Sequence, residues 1–111
     1  MNKNTSMNHA IFKYQLTKKK TVVELPSGAI ITGFAPGSKG FNLYALVCTD
    51  EGVKTEKRAF AIAKVGDPLP VSATTSKIPV APITIGIGGG GVTVVTLFEI
   101  DKCDTEDWKA F

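Results

Sequence analysis

Histidine and arginine occur once each in this chain, as His9 and Arg58, and cysteine only twice, as Cys48 and Cys103. A zinc site takes three or four ligands from histidine, cysteine and carboxylates. A lone histidine with no cysteine or acid at ligand spacing supplies no such set, so no metal is expected. Two cysteines, one in an apolar strand pattern and one in a polar tail, do not make a disulfide framework. No apolar run approaches the ~18 residues a membrane helix needs. The opening MNKNTSMNHA has no hydrophobic targeting core. Together these absences predict a chain with no membrane partner, working in a reducing cytosol.

The single arginine also bears on nucleic acid. A single-strand platform interleaves exposed aromatics with arginine. Here Phe12, Tyr14, Phe34, Phe41, Tyr44, Phe60 and Phe98 all fall at core-like positions of alternating segments. A net charge of +3 is too small to argue for a duplex, so nucleic acid is not an expected partner. Catalytic patterns are equally thin. There is no nucleophile elbow, and Ser27, Ser38, Ser72 and Ser76 all lie in loop-like stretches. Paired carboxylates occur only as Asp50-Glu51 in a turn and Glu106-Asp107 in the tail. No enzyme, no catalytic residue and no cofactor is expected.

A sustained helical period is also missing, and alternation takes its place. HAIFKYQL (9–16) sets Phe12, Tyr14 and Leu16 on one face and Lys13 and Gln15 on the other, which is a strand period. TVVEL (21–25), AIITGFA (29–35), FNLYALVCT (41–49), KRAFAIAKV (57–65) and VTVVTLFEI (92–100) continue the pattern, separated by Pro, Gly, Asp and Lys turns. FNLYALVCT is apolar on both faces and predicts a central strand buried on two sides. In KRAFAIAKV, Phe60 and Ile62 share one face and alanines the other. VSATTSK (71–77) reads as loop. Residues 78–87 read as a strand broken by Pro79 and Pro82, which confines it to an edge or an extended arm. About seven short strands predict an all-β fold, an antiparallel β-sandwich or small barrel. The organisation is a flexible start (1–8), one β-domain (9–100) and an acidic tail (101–111), with one helical turn at 105–108. At 111 residues the chain buries only a modest core, and a homo-oligomeric interface is its natural supplement.

The run Gly88 to Gly91 is the most unusual local feature. A dinucleotide fingerprint needs its glycines between a strand and a helix, so that the helix N-terminus meets the pyrophosphate. Here a β-branched strand follows. A Walker loop needs Gly-Lys-Ser/Thr at its end, and Gly91 is followed by Val92. The run therefore reads as a hairpin tip with surplus glycine. Its bare amides can form an anion nest. Gly88, Gly89, Gly90 and Gly91, with Lys18, Lys19, Lys20, Lys57 and Arg58 supplying charge, are the candidate binding residues for a small anionic ligand or a partner.

IFKY (11–14), VELPSGAII (23–31), LYALV (43–47), KRAFAI (57–62), GDPLP (66–70) and a closing LFE (97–99) after the glycines occur in this order. The order resembles a family of short, mostly uncharacterised tailed-bacteriophage proteins over roughly residues 11–99. Members usually read Gly-Thr-Gly-His-Pro where this chain has Lys64 to Pro68, and many carry a histidine where this chain has Thr96. Both departures remove a histidine-based role. The resemblance implies a phage accessory protein in the host cytoplasm. The resulting expectation is a non-catalytic binding protein that counters a host defence system, by sequestering a nucleotide-like anion or by binding a host defence protein. The alternative is a minor virion structural component or assembly factor.

Overall fold

The computed structural model describes residues 8–75, 78, 80–86 and 88–101. Seven strands follow in order: β1 (His9–Leu16), β2 (Lys20–Pro26), β3 (Ile30–Gly37), β4 (Gly40–Cys48), β5 (Thr55–Lys64), β6 (Ile83–Gly86) and β7 (Val92–Ile100). Every strand pairing is antiparallel, in a three-stranded sheet β1-β4-β3 and a four-stranded sheet β2-β5-β7-β6. The fold is the expected all-β sandwich. The expected helical turn at 105–108 and most of the tail lie outside the described residues, as do residues 1–7.

Alternation along each strand sends one side chain in two between the sheets. From the first sheet these are Leu16, Ile31, Phe34, Phe41, Leu43, Ala45 and Val47; from the second, Val23, Leu25, Phe60, Ile62, Val95 and Leu97. The rings of Phe34 and Phe41 lie 5.9 Å apart at a tilt of 44°, within the favoured range for aromatic pairs. Segment 78–85 adds Ile78, Val80, Ile83 and Ile85 along the side of this core. The strand expected over 78–87 is cut to Ile83–Gly86, directly after Pro82, and it is an edge strand as proline requires.

Two expectations change. β4 is central in its sheet, but only Phe41, Leu43, Ala45 and Val47 are buried; its other face is half-buried. The strand buried on both faces is β5, where Ala59 to Ala63 are all buried. The reason is the segment expected as plain loop. Val71–Thr75 forms a short 3-10 turn that sets Ala73 against Ala59, Ala61 and Ile100, flanked by Leu69 and Phe98. The turn closes with Ala73 N–H donating to Pro70 O at 3.0 Å, and Asp101 N–H donates to Ser72 Oγ at 3.0 Å. No comparable segment crosses the outer face of the three-stranded sheet among the described residues.

The registers define two ends of the sandwich. One gathers the β1–β2 linker, the β3–β4 turn, the residues after β5 and the β6–β7 tip. The other gathers the β2–β3 and β4–β5 turns and the end of β7.

Ala61 is fully buried beneath the 3-10 turn, so a larger residue must lift that segment off the sheet. Ala61→Leu is expected to cost about 1–3 kcal/mol of stability by overpacking, read from urea denaturation, although the same residue would suit an ordinary buried strand.

Candidate functional site

A cleft of about 240 Å³ opens at the first end of the sandwich, where the two sheets part. Its floor is apolar: Phe41 from β4, Ile62 from β5, Ile85 from β6 and Val95 from β7. All four lie on inner faces, so the cleft is the unfilled end of the core. Its rim is charged, with Lys19 from the β1–β2 linker and Lys64 and Asp67 from the end of β5.

Backbone geometry fixes this rim. Gly66 takes φ 90°, which glycine tolerates without strain. The turn it makes returns Asp67 onto Lys64: Asp67 N–H donates to Lys64 O at 3.0 Å and Lys64 N–H donates to Asp67 Oδ2 at 2.9 Å. The Asp67 carboxylate also lies 3.7 Å from Lys19 Nζ. Lys19 is held in turn by its carbonyl, which accepts from Ile62 N–H at 2.8 Å. Two ammonium groups against one carboxylate leave the rim with a net positive charge. At 3.7 Å, with the Lys19 side chain 35% exposed, the ion pair is loose, and its lysine can be reached by an incoming anion.

The residues singled out in the sequence fall in three places. Lys19 is on the cleft rim. Lys20 points to the opposite face of its sheet and is buried, and Lys18 is exposed, its carbonyl accepting from Thr21 Oγ1 at 3.1 Å. The tip Gly88–Gly90 is a tight turn at the same end of the sandwich as the cleft, with Gly89 and Gly90 at φ 81° and 83°. Nothing lies within 4 Å of where a Cβ on either would stand. Gly89 and Gly90 therefore serve backbone conformation, and among the described residues no atom crowds them. Gly91 is exposed beside them.

Lys57 and Arg58 lie near the start of β5, about 20 Å from Lys64 at strand rise. Lys57 is exposed, opposite Glu24. Arg58 is an internal tie. Its Nε and Nη2 donate to the two carboxylate oxygens of Glu99, each at 2.8 Å, and Nη1 donates to Ala29 O at 2.7 Å. The bidentate pair joins β5 to β7, and the third bond secures the β2–β3 turn. The guanidinium also sits 5.7 Å from the Phe60 ring centroid. The hydrogen bond to Glu99 raises the Arg58 pKa above its ordinary value against the opposing effect of burial.

Lys64, Asp67 and the four apolar floor residues were not singled out in the sequence. Only Gly66-Asp67 carries a local turn signal; nothing local pairs Asp67 with Lys19. Among the described residues, no three of histidine, cysteine, aspartate and glutamate come together to hold a metal ion. Among those residues, too, no helix is long and apolar enough to cross a membrane.

Residues 7–78 match a family described as Domain of unknown function (DUF7352). The chain belongs to this family. The DUF7352 match covers β1 to β5 and the 3-10 turn, and with them Lys19, Phe41, Ile62, Lys64 and Asp67; Ile85 and Val95 lie past it. No curated protein and no solved structure matches the chain.

Arg58→Met keeps the apolar stem and removes all three hydrogen bonds, leaving Glu99 without its bidentate partner. It is expected to lower stability by about 2–3 kcal/mol. In chemical denaturation, the double variant with Glu99→Gln should lose less than the sum of the single losses.

Proposed function

We propose that this protein is a non-catalytic binding protein of a bacteriophage, acting in the host cytoplasm against a defence system by holding a small anionic ligand in the cleft. The observation that carries this reading is the combination of an apolar floor with a lysine-rich rim. A site of this kind favours a molecule with a flat or aliphatic body and a negatively charged end. The apolar part displaces water from Phe41, Ile62, Ile85 and Val95, which drives binding in proportion to the area covered. The anion draws Lys19 away from its loose pair with Asp67 and is met by Lys64 as well.

At about 240 Å³ the cleft is below the usual range for a drug-sized pocket. It suits a nucleobase or a short acyl group, with phosphate or carboxylate outside on the rim. The glycine tip lies at the same end of the sandwich and in this reading offers backbone amides to that external anion. Lys57 and Arg58 have no part in this arrangement. The phage setting rests on the order of motifs from IFKY to LFE.

A second reading, a minor virion component or assembly factor, is favoured by β1, an edge strand that no described strand pairs on its outer side and that suits pairing with another subunit. Finding the protein in purified virions supports that role.

Native mass spectrometry of protein from cells with an active defence-signalling system tests the first reading. The expected spectrum carries extra mass of nucleotide size that is absent from protein made without that system. Lys19→Glu with Lys64→Glu is expected to remove that mass and to weaken binding of a nucleoside monophosphate probe more than about tenfold. Replacing Gly88 to Gly91 by a two-residue turn is expected to weaken binding less. Bare protein in both samples, or binding unchanged by the charge reversals, overturns the cleft as the ligand site.

A further inference from the structure

Among the described residues the sandwich has four edge strands, and three of them are blunted. β3 contains Gly33 and Pro36, and its register against β4 slips between Ile31 and Gly33. β2 carries Lys20 and Glu24 and ends on Pro26. β6 has four residues and follows Pro82. Short length, proline, charge and bulges are the devices by which sheets avoid edge-to-edge pairing. β1 has none of them except Lys13. It runs eight residues in unbroken register with β4, without proline or glycine. It also exposes large apolar side chains on both faces, Ile11 at 54% and Phe12 at 47%.

The register adds a second observation. Ile11 lies opposite Leu46 on β4, and Leu46 lies opposite Ile30 on β3. These three form an apolar row across the outer face of the three-stranded sheet, where the 3-10 turn of the other sheet has no counterpart among the described residues. The row ends at the β1 edge.

We infer that β1 pairs antiparallel with β1 of a second copy of this chain about a two-fold axis, with Ile11 opposite Ile11 of the second copy. The pairing fuses two three-stranded sheets into one of six. In this register the outer row runs on without a break: Ile30, Leu46, Ile11, then the same three residues in reverse order. On the inner side, the large Phe12 ring meets the small Ala10. Lys13 meets His9 rather than another Lys13. The register that places Lys13 against Lys13 opposes like charges directly and is disfavoured. The charge and size pattern of β1 therefore suits its own sequence, and an isologous contact needs only one patch.

Sedimentation of the full chain across about 1–100 µM tests this. The expected result is a dimer. Ile11→Lys, at an already exposed position, is expected to weaken it more than about tenfold with an unchanged thermal melt of the monomer. Ile30→Lys, equally exposed on the far edge, is expected to leave the dimer intact. In a Cys48→Ser, Cys103→Ser chain, Ile11→Cys should cross-link between subunits on mild oxidation. Directly paired Cα atoms are about 4.5–5.5 Å apart, within disulfide reach. Lys13→Cys in the same chain should not. A monomer at every concentration overturns the inference and leaves the edge to a foreign strand. Dissociation by Ile30→Lys as much as by Ile11→Lys overturns it in favour of face-to-face stacking. Cross-linking through position 13 instead of 11 overturns the register.

Discussion

Between Ala59 and Ala63 the outer face of β5 carries only methyl groups, and the chain's passage back across the sheet rests on them. Larger side chains there would hold Val71–Thr75 away from the sheet and expose Ile100 and Phe98. On the other face the same strand supplies Phe60 and Ile62 to the core. From Ala59 to Ala63 the strand is buried on both sides, and a substitution there is felt by one layer or the other. The contact also sets the course of the residues between β5 and the 3-10 turn, including Asp67. The cleft rim is thus a downstream product of three alanines.

Charge is divided between the two ends in different ways. At one end Arg58 is committed to the fold, with a bidentate fork matched to Glu99 and a third bond to a turn carbonyl. Guanidinium suits such a half-buried, bidentate place because it is planar and weakly hydrated. At the other end lysines stand around a carboxylate at looser distance. An ammonium on a flexible stem is easily redirected. The first arrangement holds the fold together and the second leaves charge to spare, which is why the cleft, rather than the arginine, is the place to look for binding.

Strand positions were legible because alternation is a local property, and β1 and β7 appear over the same residues that their patterns mark. The outer faces were not legible. Tyr44, Leu46 and Cys48 on β4 look like a second buried face, yet they are only half-buried. The alanines of β5 look like a weak face and are fully covered. What decides burial is the path of residues 66–75, and a sequence rich in Pro, Ser and Thr does not announce which sheet it will cross. The candidate site suffered for the same reason. Lysines and glycines advertise binding locally, whereas the cleft is assembled from five separate segments whose meeting depends on sheet register. Arg58 read as a ligand contact because Glu99 is 41 residues away.

The ladder between β5 and β7 ends at Lys64 and Val95, while β6 and β7 remain paired out to Gly86 and Val92. β7 is therefore one strand with two different supports. From Val95 to Ile100 it is flanked by neighbours on at least one long ladder and anchored in the core. From Val92 to Val94 it belongs to a two-stranded ribbon, with Val92 69% and Val94 41% exposed. Ile83 and Ile85 hold one side of that ribbon against the core, but a two-stranded ribbon draws little support of its own, so its amides are expected to open to solvent exchange below the free energy needed to unfold the domain. The glycine tip thus stands on the least supported part of β7, at the end of the sandwich where the cleft opens.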